Sequence, residues 1–489
     1  MRKSLPILLA LCACAHAKGN APSTPPPQAE AIATTPDEPF RGKQPTPLAN
    51  EPAFTAPVPT ERKLKNGAEL LVVENHAVPL VAVEVVIRAG VDEEPLNRDG
   101  LAEFLAQMLL EGTTSRTAID IEIARERLAA QLSSAGGTET TVLHLNALKE
   151  TLPEALALMA DVLLHPALRD GDIDRLRGLT LTGLAQKKGS AVALARDDFF
   201  KLVWGSKNAR GLPASGTPES VKAITAADLK RFHKAWFVPN NALISVSGDT
   251  NAAEIAGMLE KAFAAWKPGK LPKRPHRAYP EASARAIVLT DIPTASQSQV
   301  WVGWRGPKAT DADALPLQVA NNVLGGLFTS RLNRNLREDK AFSYGVRSRL
   351  GFYGDSGTFY AAGGIVAKHT AEALVEYEKE LEKLRAGDIG AEEFARAKQA
   401  IIRGLPSLLE TNDAVASAMA NLVVLGLPLD YFATLPKRVD GVTEAETKKA
   451  IQEYVTPNRW QVVIVGPAAS NKDALQKLGL GKVEMWKAE

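Results

Sequence analysis

An internal repeat of very long period constrains this chain most. Ile224-Thr225, a helical stretch, then Val238-Pro239-Asn240 and a strand-like run to Gly248 recur as Val442-Thr443, a helical stretch, Thr456-Pro457-Asn458 and a run to Gly466. Both anchors move by 218 residues (224 to 442, 238 to 456), and Ser115-Arg116 returns 215 residues on as Ser330-Arg331. So small a drift over a domain length indicates duplication. Two copies make a pair of domains, since a solenoid needs at least about three repeats.

Each copy mixes periods. Leu70–Val73, Val81–Ile87, Thr140–Leu145 and Ala242–Gly248 read as strands. Helices are expected at Gly100–Glu111, with Leu101, Phe104, Leu105 and Met108 on one face, and at Ile119–Ser133, ended by Gly136-Gly137. Further helices are expected at Leu152–Leu164, Asp172–Gln186, Ala191–Trp204 and Ala226–Ala235. The expected class is α+β, with two homologous domains, each a sheet with helices packed on it. They are placed at 61–266 and 285–489, joined by a basic, proline-bearing linker at 267–284.

The leader is a different kind of sequence. Arg2 and Lys3 precede an apolar stretch, Leu5 to Ala15, that suits a signal segment and is too short to span a bilayer. Two processing routes stay open. Ala15-His16-Ala17 fits cleavage before Lys18, giving a signal peptide over 1–17. Leu11-Cys12-Ala13-Cys14 resembles a lipobox, which would leave a lipidated Cys14. Eleven of the chain's 31 prolines fall between Gly19 and Thr60, so 18–60 reads as an extended tether. Both routes predict a location outside the cytoplasm, in the periplasm or at the outer membrane of a Gram-negative-like bacterium. A lipid on Cys14 would be the membrane attachment. No apolar run reaches the ~18 residues of a spanning helix.

Charge and cysteine count exclude other classes. The 58 basic and 56 acidic residues leave +2, and the signal segment carries both surplus charges. A general nucleic-acid binder needs a basic excess. Cys12 and Cys14 are the only cysteines, so the body has no disulfide framework and no thiolate metal site.

One set of motifs points to a family. Arg88-Ala89-Gly90, then Gly100-Leu101-Ala102-Glu103-Phe104-Leu105-Ala106-Gln107-Met108, then Glu111-Gly112-Thr113, resembles the pitrilysin/insulinase family of zinc peptidases. In the second half, Leu324-Gly325-Gly326, Ser330-Arg331-Leu332 and Leu336-Arg337-Glu338, with Tyr344 seven residues past Arg337, resemble that family's C-terminal signature. The resemblance covers roughly 61–466. It implies a mitochondrial-processing-peptidase-like fold, two sheet-plus-helices domains arranged around a cleft.

That family's chemistry uses H-x-x-E-H, two imidazoles four apart on one helical face with a glutamate to activate water. Aligned here, the first histidine becomes Glu103, the glutamate becomes Ala106 and the second histidine becomes Gln107. Aligned through Ile173-Asp174-Arg175, the later glutamate ligand becomes Gly183, and Leu176 stands where a supporting glutamate is usual. A catalytic zinc needs three protein ligands and an open position. Only Glu103 is a good donor, so no metal and no cofactor is expected in this chain. The seven histidines offer no substitute, since no two lie within four residues. His233, beside Phe232 and near Trp236, reads as a packed helix residue.

The resemblance assigns Arg337 and Tyr344 to binding the substrate backbone across the cleft. A guanidinium and a phenol both suit a developing oxyanion. The plain alternative pairs Arg337 with Glu338 or Asp339. Phe328, Leu332 and Leu336 recur at helical spacing and are expected to face a core. Some bacterial members resemble this division, one subunit carrying zinc and the other the arginine–tyrosine pair. The chain is therefore expected to be inactive alone: a non-catalytic, substrate-binding subunit, with a zinc-bearing insulinase-family partner and a peptide substrate. A structural or peptide-binding protein of the same fold, with no proteolytic role, is the alternative. A self-sufficient peptidase comes third.

Overall fold

A computed structural model describes residues 54–488 apart from 96, 276–278 and 280–283. The signal segment, Cys14 and most of the tether lie outside the described residues. Folded structure begins before the expected end of the tether at 60: Ala56 is buried, and a first strand starts at Thr60.

Two six-stranded sheets carry the fold, which is α+β. The first holds β1 (Thr60–Lys63), β2 (Glu69–Glu74), β3 (Leu80–Ile87), β4 (Gln131–Gly136), β5 (Thr141–Leu148) and β6 (Ala242–Gly248), in the order β1-β2-β6-β3-β5-β4. The second holds β7 (Ala286–Asp291), β8 (Gln297–Gly306), β9 (Ser343–Phe352), β10 (Gly357–Val366), β11 (Gln461–Gly466) and β12 (Val483–Trp486), in the order β12-β7-β11-β8-β10-β9. Five strands correspond one to one. In each set the second and third strands of the order are parallel and the rest of the ladder antiparallel. The sixth differs. The first sheet recruits β1, antiparallel, and the second recruits β12, parallel, from the far end of the chain.

The repeat anchors are folding signals. Thr225 caps the helix Ala226–Trp236 through a capping box with Asp228, and Thr443 caps Glu444–Tyr454 through one with Glu446. Pro239 and Pro457 each open a short 3-10 turn that delivers the chain into β6 and β11.

Those central strands are buried along their whole length, so both faces of each sheet need a cover. The covers are exchanged. The helix Ala191–Trp204, from the first half, packs on β8 and β11 of the second sheet. There Leu194, Ala195, Phe199 and Val203 meet Val288, Trp301, Val463 and Val465. Phe199 lies 5.4 Å from Trp301 and 5.8 Å from Tyr360, which stack on each other at 4.6 Å. Reciprocally, the helix Asn412–Val424, from the second half, packs on β2, β3 and β6 of the first sheet, so that Leu71, Val86 and Leu243 join the second half's core. Polar contacts fix each seat. Asp413 accepts from Asn146 and contacts His144 Nε2 at 2.7 Å, Ser417 donates to Glu84, and Thr290 donates to Asp198 at 2.6 Å.

One expected element is different. The helix over Ile119–Ser133 ends at Arg127, and Ala129 turns through a left-handed conformation (φ 47°). The chain then enters β4, the outer strand. Nothing in the local sequence marks that turn, because no glycine stands at 129.

The hairpin tips of the two sheets meet at Arg210, whose side chain is only 6% exposed. It grips Asp92 with Nε and Nη2 and reaches Glu139 of the first half. It also donates to Asp355 and Ser356 of the second half at 2.7 Å each. Tyr353 and Trp204 lie against its guanidinium at 4.5 and 5.3 Å. Removing one partner of a buried ion pair typically costs about 3–5 kcal/mol. Arg210→Met leaves three carboxylates without their cation, so a destabilisation of that order is expected in urea unfolding.

The linker is pinned by Arg274, which pairs with the buried Glu93 and donates to the Arg88 carbonyl at 2.7 Å. Burial pushes the Glu93 carboxyl up to about 7 from 4.5, against the opposing pull of the Gly90 amide and Arg274. The native state therefore holds a proton that the unfolded chain has lost between those values. This contribution is complete below about pH 4.5 and is lost as pH rises through about 7. Glu93→Gln cannot ionise, so its urea midpoint is expected to fall less than wild type's between pH 5 and 8.

Candidate functional site

The helix Leu101–Leu109 is apolar on the face that packs into the first core, where Leu101, Phe104, Leu105 and Met108 are buried. Glu103 and Gln107 share a partly exposed face four residues apart, while Ala106 is fully buried. The Gln107 amide donates to Glu103 Oε1 at 2.6 Å, and the Gly136 amide at the end of β4 donates to Oε2 at 2.7 Å. Both carboxylate oxygens are engaged by the protein. Gly136 is required there, because a Cβ would stand 2.6 Å from the backbone of Glu103. Ser134 adds a second tie between strand and helix by donating to the Ala106 carbonyl at 2.5 Å.

Gly183 lies on the helix Asp170–Lys187 and faces open space, since a Cβ there would meet nothing within 4 Å. The structure thus offers one carboxylate, one amide, a methyl group and a hydrogen. These residues do not fit a zinc ion. Among the described residues, no group of three His, Cys, Asp or Glu side chains is placed to hold a metal. His233 packs within its helix bundle, with Nε2 2.8 Å from the Leu163 carbonyl and its ring 4.8 Å from Phe237, and burial holds its pKa down.

In the second half, the chain from Arg334 to Asp339 makes a π-helical turn. Such wide turns are rare and often found at functional sites. Leu332 and Leu336 are fully buried, as the helical spacing predicts. Phe328 is not. It precedes the helix start at Ser330 and is 54% exposed, so its place in the apolar spacing does not carry it into the core. Arg337 projects from the π turn toward β9. Its guanidinium lies 4.9 Å from the ring of Tyr344, which is 85% exposed, and 4.7 Å from that of Phe328. It also pairs with Glu338 at 3.2 Å, which is the plain alternative for Arg337.

Buried Asn333 sets this arrangement. It donates to the Phe328 carbonyl at 2.7 Å and accepts from the Val346 amide at 3.3 Å, tying the loop before the helix to β9. Gly325, in the preceding turn, packs against Ser348 of β9 where a Cβ would stand 2.5 Å from the hydroxyl. Sequence reasoning missed both the clamp and Phe328. The only signal for either was an Asn and a Phe flanking the Ser-Arg-Leu motif.

Comparison with known proteins gives the family and the fold. A family model described as "Insulinase (Peptidase family M16)" matches residues 70–195, and one described as "Peptidase M16 inactive domain" matches 223–401. The chain belongs to the M16, or pitrilysin/insulinase, family. It is 25% identical over 363 residues to an "Uncharacterized zinc protease YmxG" of Bacillus subtilis, covering 74% of this chain and 87% of that protein. It is 24% identical over 440 residues to a "Non-peptidase homolog YmxG" of Helicobacter pylori, covering 88% of this chain and 97% of that one. Among solved structures it shares the fold of an M16 inactive domain from Pseudomonas fluorescens (TM-score 0.78, 23% identity, 84% of this chain and 98% of the other). It also shares that of a protease from Helicobacter pylori (TM-score 0.79, 20% identity, 84% and 100%).

For this M16 chain, metal analysis after dialysis against trace zinc should give far less than one equivalent. One tightly held zinc per chain would contradict the donor set at 103, 106, 107 and 183.

Proposed function

We propose that this chain is the non-catalytic, substrate-binding subunit of a heterodimeric zinc endopeptidase that acts on peptides outside the cytoplasm. A zinc-bearing insulinase-family subunit is its partner. The observation that carries the reading is a contrast within one molecule. The Glu103 carboxylate is engaged on both oxygens by Gln107 and Gly136, with Ala106 unable to move a proton, while a partly exposed Arg337 lies 4.9 Å from the ring of the exposed Tyr344. A charged group beside an open phenol can donate to the oxygen of a carbonyl brought against it. Among the described residues, the outer strands β4 and β9 have no strand beyond them, and such edges are templates for an extended peptide. The leader read from the sequence supports a site in the periplasm or at the outer membrane, by cleavage before Lys18 or through a lipid on Cys14.

A second reading, a structural or peptide-binding protein with no proteolytic role, draws on the Arg337–Glu338 pair and on the printed name of the Helicobacter relative. Tyr344→Phe separates the two. It removes one hydroxyl from an exposed ring, so packing should survive. In a complex with the zinc-bearing subunit, with assembly checked by size-exclusion chromatography, the loss of an oxyanion donor should lower kcat by about 10²–10³. Normal assembly with unchanged kcat and KM would make Tyr344 structural and favour the second reading.

A further inference from the structure

Phe328 is a large apolar side chain that sits at a core spacing yet is more than half exposed. Other exposed apolar residues, such as Ile119 and Ile123, stand on helix surfaces. Phe328 instead stands against a cation, with the Arg337 guanidinium 4.7 Å from its ring centre and 4.9 Å from that of Tyr344. Three side chains from a loop, a π turn and an edge strand therefore converge. The buried Asn333 amide bonds to the backbone of both flanking segments, at Phe328 and Val346. This is a built arrangement, since a buried hydrogen bond to the Phe328 carbonyl fixes the backbone that carries an exposed aromatic ring, against the ring's tendency to fold inward.

The chemistry of the three walls differs. Arg337 offers N–H donors in a plane and no acceptor, so it suits a backbone carbonyl. Tyr344 offers a hydroxyl as well as a ring. Phe328 offers no hydrogen bond at all. It can contribute only apolar area and a π face, which favour an aromatic side chain in an offset or edge-to-face packing.

We propose that Phe328 is a specificity-determining residue. Its ring receives an aromatic side chain of an extended peptide at the position next to the carbonyl that Arg337 holds. This rests on the substrate-binding reading above and deepens it by naming a substrate class, peptides with an aromatic residue at the bound position.

The test uses the mature chain and fluorescence anisotropy. The probes are two fluorescein-labelled, glycine- and serine-rich peptides that differ only in a central Phe or Ala. Wild type is expected to bind the Phe probe about three- to tenfold more tightly, the range of one aromatic pair. Phe328→Ala should bring that ratio to near one, and any weakening through a less well oriented Arg337 should be shared equally by the two probes. Phe328→Leu should keep part of the preference. Arg337→Lys, which retains charge but loses the planar donors, should weaken both probes alike. Phe328 is exposed, so its variants should keep the wild-type urea midpoint, which checks that the fold is intact. A Phe-to-Ala ratio that survives Phe328→Ala, or a ratio near one in wild type, would overturn the role of Phe328 and leave the subunit reading standing. Absence of binding by either probe to wild type would remove both.

Discussion

The exchange of helices between the two halves is the constraint on which the rest of this molecule depends. β6 and β11 are buried on both faces, and a single layer of helices covers only one. Each half lends the other its second cover: Ala191–Trp204 lies on the second sheet and Asn412–Val424 on the first. Neither half buries its own sheet alone, so the two fold as one compact unit from Phe54 onward. The exchange also sets what remains open. Asn412–Val424 reaches β2, β3 and β6, and β5 beyond them alternates between buried and half-exposed residues. The outer strands β4 and β9 are correspondingly the least covered long strands of their sheets.

Duplication was legible in the sequence because its anchors are local folding devices. A threonine three residues before an acid, and a proline ahead of a strand, do the same work wherever they occur. Several helices and β6 were legible for the same reason, as their periods are local. β4 was not, since a left-handed alanine at 129 is imposed by the packing around it. The exchange was not legible either. An amphipathic helix such as Ala191–Trp204 states that it will be buried, but its partner sheet is determined by contacts with strands that begin only at Gln297 and Gln461. The same limit explains Phe328. Spacing places it in line with Leu332 and Leu336, but the helix begins only after it, and Asn333 holds its backbone outward.

The helix of the degenerate zinc motif is held to the edge strand by the protein's own groups. Glu103, Gln107 and Gly136 form a clip from helix to edge strand, reinforced by Ser134. These are charge-assisted or backbone hydrogen bonds in a half-buried setting, individually worth roughly 0.5–3 kcal/mol. The clip satisfies an end-of-strand amide and a carboxylate together. A site of this kind holds the local scaffold in register, with its one carboxylate committed to a hydrogen bond on each oxygen.

The second half retains the opposite property. Arg337 is not closed off by its contacts. A salt bridge to the adjacent, well-exposed Glu338 is weak in water and competes poorly with an incoming carbonyl. Stacking against Phe328 and Tyr344 orients the guanidinium through its faces and leaves the N–H groups in its plane for other partners. Orientation by rings therefore prepares the donors without consuming them, whereas orientation by carboxylates, as at Arg210, consumes them all. Two arginines in one chain thus follow opposite logics. Arg210 is spent on holding the halves together, whereas Arg337 keeps a partly exposed guanidinium among residues of the second half.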